Sequence, residues 1–145
     1  MPTIAADAWT LWCDGGARGN PGPGAAAYVL QDPAGLEVEA RGERLGDVTN
    51  NVAEYRALIA GLTAADRHNV RKLEVRLDTE LVVRQMTGEY RVKHEGLKPL
   101  HTAAQRLAGR FEAIRFVSIP RESNARADRI VNETLDQVQD SESSR

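Results

Sequence analysis

From Trp9 to Asp14 the chain alternates, with Trp9, Leu11 and Cys13 on one side and Thr10, Trp12 and Asp14 on the other. A period of two, followed at once by glycines, predicts a strand that ends at Asp14. The Gly- and Pro-rich run Gly15–Gly24 predicts a turn. Ala25–Gln31 reads as a second strand, Asp32–Gly35 as a turn and Leu36–Leu45 as a third strand, which together make a meander. Over Asn51–His68 the period changes: Ala53, Leu58, Ile59, Leu62 and Ala65 recur at spacings of three and four, the mark of a helix with one apolar stripe. Lys72–Asp78 alternates again and predicts a fourth strand. Thr79–Thr87 is a short helix stopped by Gly88, Leu97–Phe111 a further helix, Ile114–Ile119 a fifth strand halted by Pro120, and Asn124–Val138 a last helix.

The order βββαβααβα calls for an α/β fold: a mixed five-stranded sheet with helices on both faces. No repeat or linker interrupts it, so residues 1–139 are expected to form one domain. The tail, Asp140–Arg145, has no apolar residue and is expected to be disordered. A chain of 145 residues can bury about 68–70% of its unfolded surface, enough for a core without staples. The single cysteine, Cys13, excludes an internal disulfide framework and cysteine-pair zinc sites, and it points to a reducing, cytoplasmic setting. The longest apolar run, Ala25–Leu30, is far short of the about 20 residues that span a bilayer, and Met1–Cys13 lacks the basic segment of an export signal.

Net charge is −2, but it is unevenly distributed. Arg84–Val131 carries 10 Lys and Arg against 5 Asp and Glu, whereas Met1–Val83 carries 8 against 12. Such a chain can bind a polyanion locally although it is acidic as a whole. Solvated helix faces would give the same uneven count.

The candidate chemistry lies in carboxylates at element boundaries. Asp14 and Asp78 both terminate strands, and in open sheets ligands favour the crevice beyond the carboxyl ends of neighbouring parallel strands. Glu54 falls in line with Leu58 and Leu62 on the packed face of its helix, where a bare carboxylate is costly. It must be capped, paired or bound to a cation; Asn51–Glu54 has capping-box spacing, so Glu54 reaching back to the Asn51 amide is one solution. Asp128 lies in the first turn of the last helix, where it also favours the helix dipole. Four such charges brought together repel unless divalent cations sit among them, and an oxygen-only donor set selects Mg²⁺ or Mn²⁺ over zinc. The glycine loop lacks G-K-[ST] and leads into a strand, which excludes the nucleotide P-loop and the dinucleotide fingerprint. None of His68, His94 and His101 has a partner at metal or triad spacing, so hydrolases of the Ser-His-Asp or Cys-His type are poorly supported. Cys13 shares a face with Trp9 and Leu11 and is read as core.

These residues resemble the type 1 ribonucleases H over Trp9–Val138. Asp14-Gly15-Gly16 with Gly19–Gly24 is similar to that family's first motif, and Thr49-Asn50-Asn51-Val52-Ala53-Glu54 to its second. Asp78-Thr79-Glu80-Leu81 is similar to the third, and Asn124-Ala125-Arg126-Ala127-Asp128 to the fourth. The resemblance implies the ribonuclease H-like fold and endonucleolytic hydrolysis of the RNA strand of RNA/DNA hybrids, leaving 3'-hydroxyl and 5'-phosphate ends. It implies two Mg²⁺ or Mn²⁺ ions per site, bridged by Asp14, with Glu54 and Asp78 on one and Asp128 on the other, as a two-metal displacement requires. Gly15, Gly16, Asn20, Asn50, Asn51 and Glu54 would meet the RNA 2'-hydroxyls, which tell RNA from DNA, and Thr49 a phosphate of the DNA strand. The expected protein is a monomer, and double-stranded RNA is left open as a second substrate.

Three departures stand out. Pro120–Arg126 holds no histidine where many members carry one, leaving Arg121 or Glu122 as substitutes. Gly88–Leu97 is too short for the extra basic helix of many members, so Arg84, Arg91, Lys93 and Lys98 would supply a reduced grip. Thr79 stands where serine is usual and keeps the hydroxyl. Two rival readings are a silent hybrid-binding module, disfavoured by the presence of all four carboxylates, and a metal nuclease acting on DNA, disfavoured by the Asn50-Asn51 pair and the glycine loop.

Overall fold

The computed structural model describes residues 5–143, with side chains described through Gln137. Its strands are β1 (Trp9–Ala17), β2 (Gly22–Gln31), β3 (Glu37–Val48), β4 (Lys72–Leu77) and β5 (Ala113–Ser118). The helices are α1 (Asn50–Arg67), α2 (Glu80–Thr87), α3 (Lys98–Ala108) and α4 (Ala125–Ser143), the last preceded by a 3₁₀ turn, Arg121–Asn124. The five strands form one mixed sheet in the order β3-β2-β1-β4-β5, antiparallel on the β3-β2-β1 side and parallel from β1 through β4 to β5. Among the described residues no helix is long and apolar enough to cross a membrane.

The run Ala25–Leu30 is apolar without a break because β2 is an inner strand covered on both faces. Ala26, Tyr28 and Leu30 join the larger core, with Leu11 and Cys13 of β1, Leu73, Val75 and Leu77 of β4, and the buried sides of α1, α2 and α3. Ala25, Ala27 and Val29 face the other way, against Ile130, Val131 and Leu135 of α4. Helix α1 buries more than one stripe: Ala53, Ala57, Leu58, Gly61, Leu62, Ala64 and Ala65 are all inaccessible or nearly so, since the helix packs on the sheet and also meets α3.

Three expectations need correction. The turn expected over Gly15–Gly24 is confined to Arg18–Pro21, with Asn20–Pro21 cis; Gly15, Gly16 and Ala17 stay in the ladder opposite Ala26, Ala25 and Gly24. Glycine here marks close approach by a neighbouring element, not departure from the sheet. A Cβ on Gly15 would lie 2.2 Å from the Ala53 carbonyl oxygen and 2.6 Å from the Glu54 nitrogen, so α1 sits directly on this residue. The helix cap is Thr49, whose Oγ1 accepts from the Val52 amide at 3.2 Å, and Glu54 does not close a capping box on Asn51. Finally, α4 continues to Ser143 instead of ending at Val138, because no Gly or Pro follows Asn124 to stop it. The expected disordered tail is therefore helical backbone over 140–143, and residues 144–145 lie outside the described residues.

The contact at Gly15 gives a sharp contrast. Gly15→Ala should cost about 3 kcal/mol or more, at the upper end of overpacking penalties, because backbone atoms must move. Gly16→Ala, whose Cβ would find its nearest neighbour at 3.9 Å, should melt close to wild type. Paired thermal melts of the two variants check this.

Candidate active site

The parallel pairing of β1 with β4 ends at Cys13 opposite Leu77. Asp14 and Asp78 are the next residues on each strand, and there the two chains diverge. β1 runs on beside β2 to Ala17, while β4 gives way to α2, capped by the Thr79 hydroxyl, which accepts from the Val82 amide at 3.4 Å. The hydroxyl that Thr79 retains is thus a helix cap. The divergence opens a crevice, and α1 brings Glu54 into it. Glu54 Oε1 accepts from the Gly15 amide at 2.8 Å, which ties the helix to the strand next to Asp14.

Asp14, Glu54 and Asp78 each offer an oxygen, and these oxygens lie within 4.8 Å of one another. Asp14 and Glu54 are both 6% exposed. Asp128, in the first turn of α4, lines the same pocket from the other face of the sheet and lies close enough to Asp14 to perturb it. Burial, then the charges of Asp78 and Asp128, raise the Asp14 carboxyl to about 7. Burial and the neighbouring Asp14 push Glu54 well above the usual carboxylate range, against the opposing pull of the Gly15 amide. Glu54 Oε2 is buried and has no hydrogen-bond partner among the described residues. A cluster of this kind, all oxygen and with an unpartnered buried carboxylate atom, fits a divalent cation.

The pocket, about 450 Å³, is also lined by Gly15, Gly16, Asn50, Asn51, Thr79 and Arg121. The loop before α1 and the β1–β2 turn are interlocked beside it: Asn50 Oδ1 accepts from the Ala17 amide and Asn20 Oδ1 from the Asn50 amide, each at 3.0 Å. Asn20, Thr49, Asn50 and Asn51 line an adjoining groove with His94 and Leu97. Of the two substitutes for the absent histidine, Arg121 lines the pocket and Glu122 does not.

The basic residues divide. Arg84 is held by Glu80 at 2.7 Å and Glu89 at 3.0 Å and stacks over Tyr90, and Lys98 pairs with Glu95 at 2.7 Å. Their charges are largely spent inside the protein. Arg91 and Lys93 are exposed on the connection after α2, with no ion pair among the described residues. No histidine enters the acidic cluster: His68 meets Glu39, His101 the Gln85 carbonyl and His94 the Gly96 amide. Cys13 is fully buried, as expected, and burial raises its thiol further, with Glu54 and Asp14 adding to the effect. Asn124 has no role assigned from sequence, although it opens the fourth motif, Asn124–Asp128; it is buried against Asp78.

Residues 12–134 match the family model described as Reverse transcriptase-like. The Bifunctional protein Rv2228c of Mycobacterium tuberculosis is 43% identical over 125 residues, which is 85% of this chain and 34% of that protein. Its N-terminal RNase H domain, solved as a fusion with maltose binding protein, superposes with a TM-score of 0.89 at 39% identity, covering 93% of this chain and 98% of that one. Ribonuclease HI of Halobacterium salinarum is 41% identical over 123 residues, 85% of this chain and 62% of its own. LC11-RNase H1, solved in complex with RNA/DNA hybrid, is 40% identical with a TM-score of 0.86, covering 90% of this chain and 99% of that one. The chain therefore spans about a third of the mycobacterial relative (34%) and 62% of the archaeal one. The chain belongs to the ribonuclease H family.

The raised carboxyls set a pH dependence. In the unfolded chain Asp14 titrates near pH 3.9, and in the cation-free fold near 7. Between those values the folded state holds more protons, so this contribution to stability is intact at the acid end and lost as pH rises through about 7. In EDTA, Asp14→Asn should gain melting temperature relative to wild type as pH rises from about 4 to 8. Saturating Mn²⁺ should raise the wild-type melting temperature, by the equivalent of about 2.7 kcal/mol at a hundredfold excess over Kd, and Asp78→Asn should blunt that rise.

Proposed function

We propose that this chain is a divalent-cation-dependent endoribonuclease that hydrolyses the RNA strand of RNA/DNA hybrids, with residues 1–139 as its catalytic unit. The observation that carries the reading is the convergence of Asp14, Glu54 and Asp78, from three separate elements, together with a buried Glu54 oxygen that has no hydrogen-bond partner among the described residues. LC11-RNase H1, similar over 90% of this chain, has been solved with such a hybrid.

Asp14, Glu54, Asp78 and Asp128 would hold two Mg²⁺ or Mn²⁺ ions, with Asp14 shared between them. The bound ions would supply the positive charge that eases attack by water and stabilises the departing oxygen. In the overall reaction a water oxygen bonds to phosphorus and the bond to the 3'-oxygen breaks. One water proton ends on that oxygen, which leaves a 3'-hydroxyl and a 5'-phosphate. The chain's own work is to present the carboxylates and to select the strand. Gly16, bare of a side chain and open on that side, allows a sugar-phosphate backbone to approach beside Gly15, and Asn20, Asn50 and Asn51 offer amide groups to 2'-hydroxyls. Thr49 would meet a phosphate of the other strand from the adjoining groove. Arg121 takes part of the place of the missing histidine. A guanidinium stays protonated, so it can attract a phosphate but cannot relay a proton.

Strand-labelled RNA/DNA hybrid, duplex DNA and duplex RNA, each with Mg²⁺, Mn²⁺ or EDTA, test the reading. The expected outcome is cleavage of the RNA strand of the hybrid alone or with the RNA duplex, abolished by EDTA. Asp14→Asn should fall to background while remaining folded. Near-normal cleavage by that variant would falsify the two-ion reading.

A second measurement concerns the grip. With Arg84 and Lys98 already paired, the grip of the Arg84–Lys98 segment on the hybrid rests on Arg91 and Lys93, and few counterions are released there. Each phosphate contact adds a slope of about −0.9 in log K against log salt on duplex DNA, so the overall slope should be shallow. Arg91→Ala with Lys93→Ala should weaken binding and flatten it further, leaving the single-turnover rate at saturation unchanged.

A further inference from the structure

Asn124 is the most completely buried polar residue at the crevice, 1% exposed, and it lies in the 3₁₀ turn before α4, four residues ahead of Asp128. Its side-chain nitrogen donates twice: to the Cys13 carbonyl at 2.8 Å and to Asp78 Oδ2 at 3.1 Å. Both partners are acceptors only, so the amide orientation is fixed by chemistry; turned over, its oxygen would face a carbonyl and a carboxylate. The position is equally specific. Cys13 is the last β1 residue paired with β4, and Asp78 is the first residue beyond Leu77. Where the sheet's own hydrogen bonds between these strands cease, the Asn124 amide takes their place.

Resting on the cation-dependent reading above, we propose that Asn124 is a positioning residue that locks the Asp78 carboxylate for cation binding. By holding Oδ2 it fixes the rotamer in which the carboxylate would meet a cation. By holding the Cys13 carbonyl in the same grip it sets Asp78 at a constant distance from Asp14. It also links α4, and hence Asp128, to the strand ends that carry the other acidic groups. Without that donor Asp78 is free to turn away from two like charges, and repulsion drives it to do so. Groups that orient metal ligands typically contribute a factor of about 10–100 in metal affinity or activity.

The test is a Mn²⁺ titration of the full chain, read without substrate by calorimetry or by the melting shift, alongside the Mn²⁺ dependence of cleavage. Asn124→Ala should raise the half-saturating Mn²⁺ concentration about 10–100-fold, with cleavage recovering toward wild type at saturating ion. Leu73→Ala, a core truncation in β4 away from the crevice, should lower the melting temperature and leave the Mn²⁺ midpoint unmoved. In an Asp78→Asn background Asn124→Ala should shift the midpoint little, since its effect passes through Asp78. If Asn124→Ala does not fold, Asn124→Ser, with a hydroxyl too short to reach both acceptors, should shift the midpoint in the same direction. A wild-type midpoint in the folded variant, or equal shifts with and without the Asp78 carboxylate, overturns the proposal and leaves the nuclease reading standing. Failure of the wild type to bind Mn²⁺ at all overturns both.

Discussion

The backbone contact between Gly15 and the first turn of α1 is the constraint from which the site follows. There is no room for a Cβ between that strand residue and the Ala53 carbonyl, and the gap is closed by the bond from the Gly15 amide to Glu54. A helix held this close delivers a carboxylate to the point where β1 parts from β4, which already carries one. The two charges are kept together by packing, against their repulsion. The apolar face of α1, sealed by Leu58 and Leu62 on the same line as Glu54, is what opposes it.

Much of this was legible because the relevant signals are periodic. Alternation located β1 and β4, turn and proline signals bounded the other three strands, and the change of period located α1, with Asp78 and Asp128 at the boundaries where they are found. What misled was composition without neighbours. Glycines read locally say turn, but Gly15 and Gly16 are strand residues, and the lack of a side chain at Gly15 serves a helix far away in sequence. The capping-box spacing at Asn51–Glu54 likewise described a local bond, and a nonlocal one, to a residue 39 positions earlier, prevailed. Arg84 could be counted as a cation from sequence, but its engagement by Glu80, Glu89 and Tyr90 depends on how the chain turns after α2. Asn124 was the least legible. Its meaning lies in two acceptors, 111 and 46 residues away, that only the folded sheet brings together.

The charge distribution then takes on a sense that net charge does not convey. An acidic crevice repels a nucleic acid until cations enter it. Affinity for a polyanion in such a protein is conditional on the ions that the crevice holds. Arg121 brings a basic group to the lining of the same crevice.

The crevice is unfavourable by itself, which is why the rest of the fold must over-determine it. Two separate cores, one on each face of β2, hold α1 and α4 against opposite sides of the same strands. The carboxylates arrive from both sides, Glu54 with one core and Asp128 with the other. Neither helix can retreat without exposing its own apolar surface, so the repulsion is relieved by favouring the protonated forms, the direction in which burial and mutual repulsion shift Asp14 and Glu54. A divalent ion competes with those protons for the same oxygens. A cation dependence and a pH dependence of this chain would therefore be two readings of one constraint, the enforced proximity of like charges where β1 parts from β4.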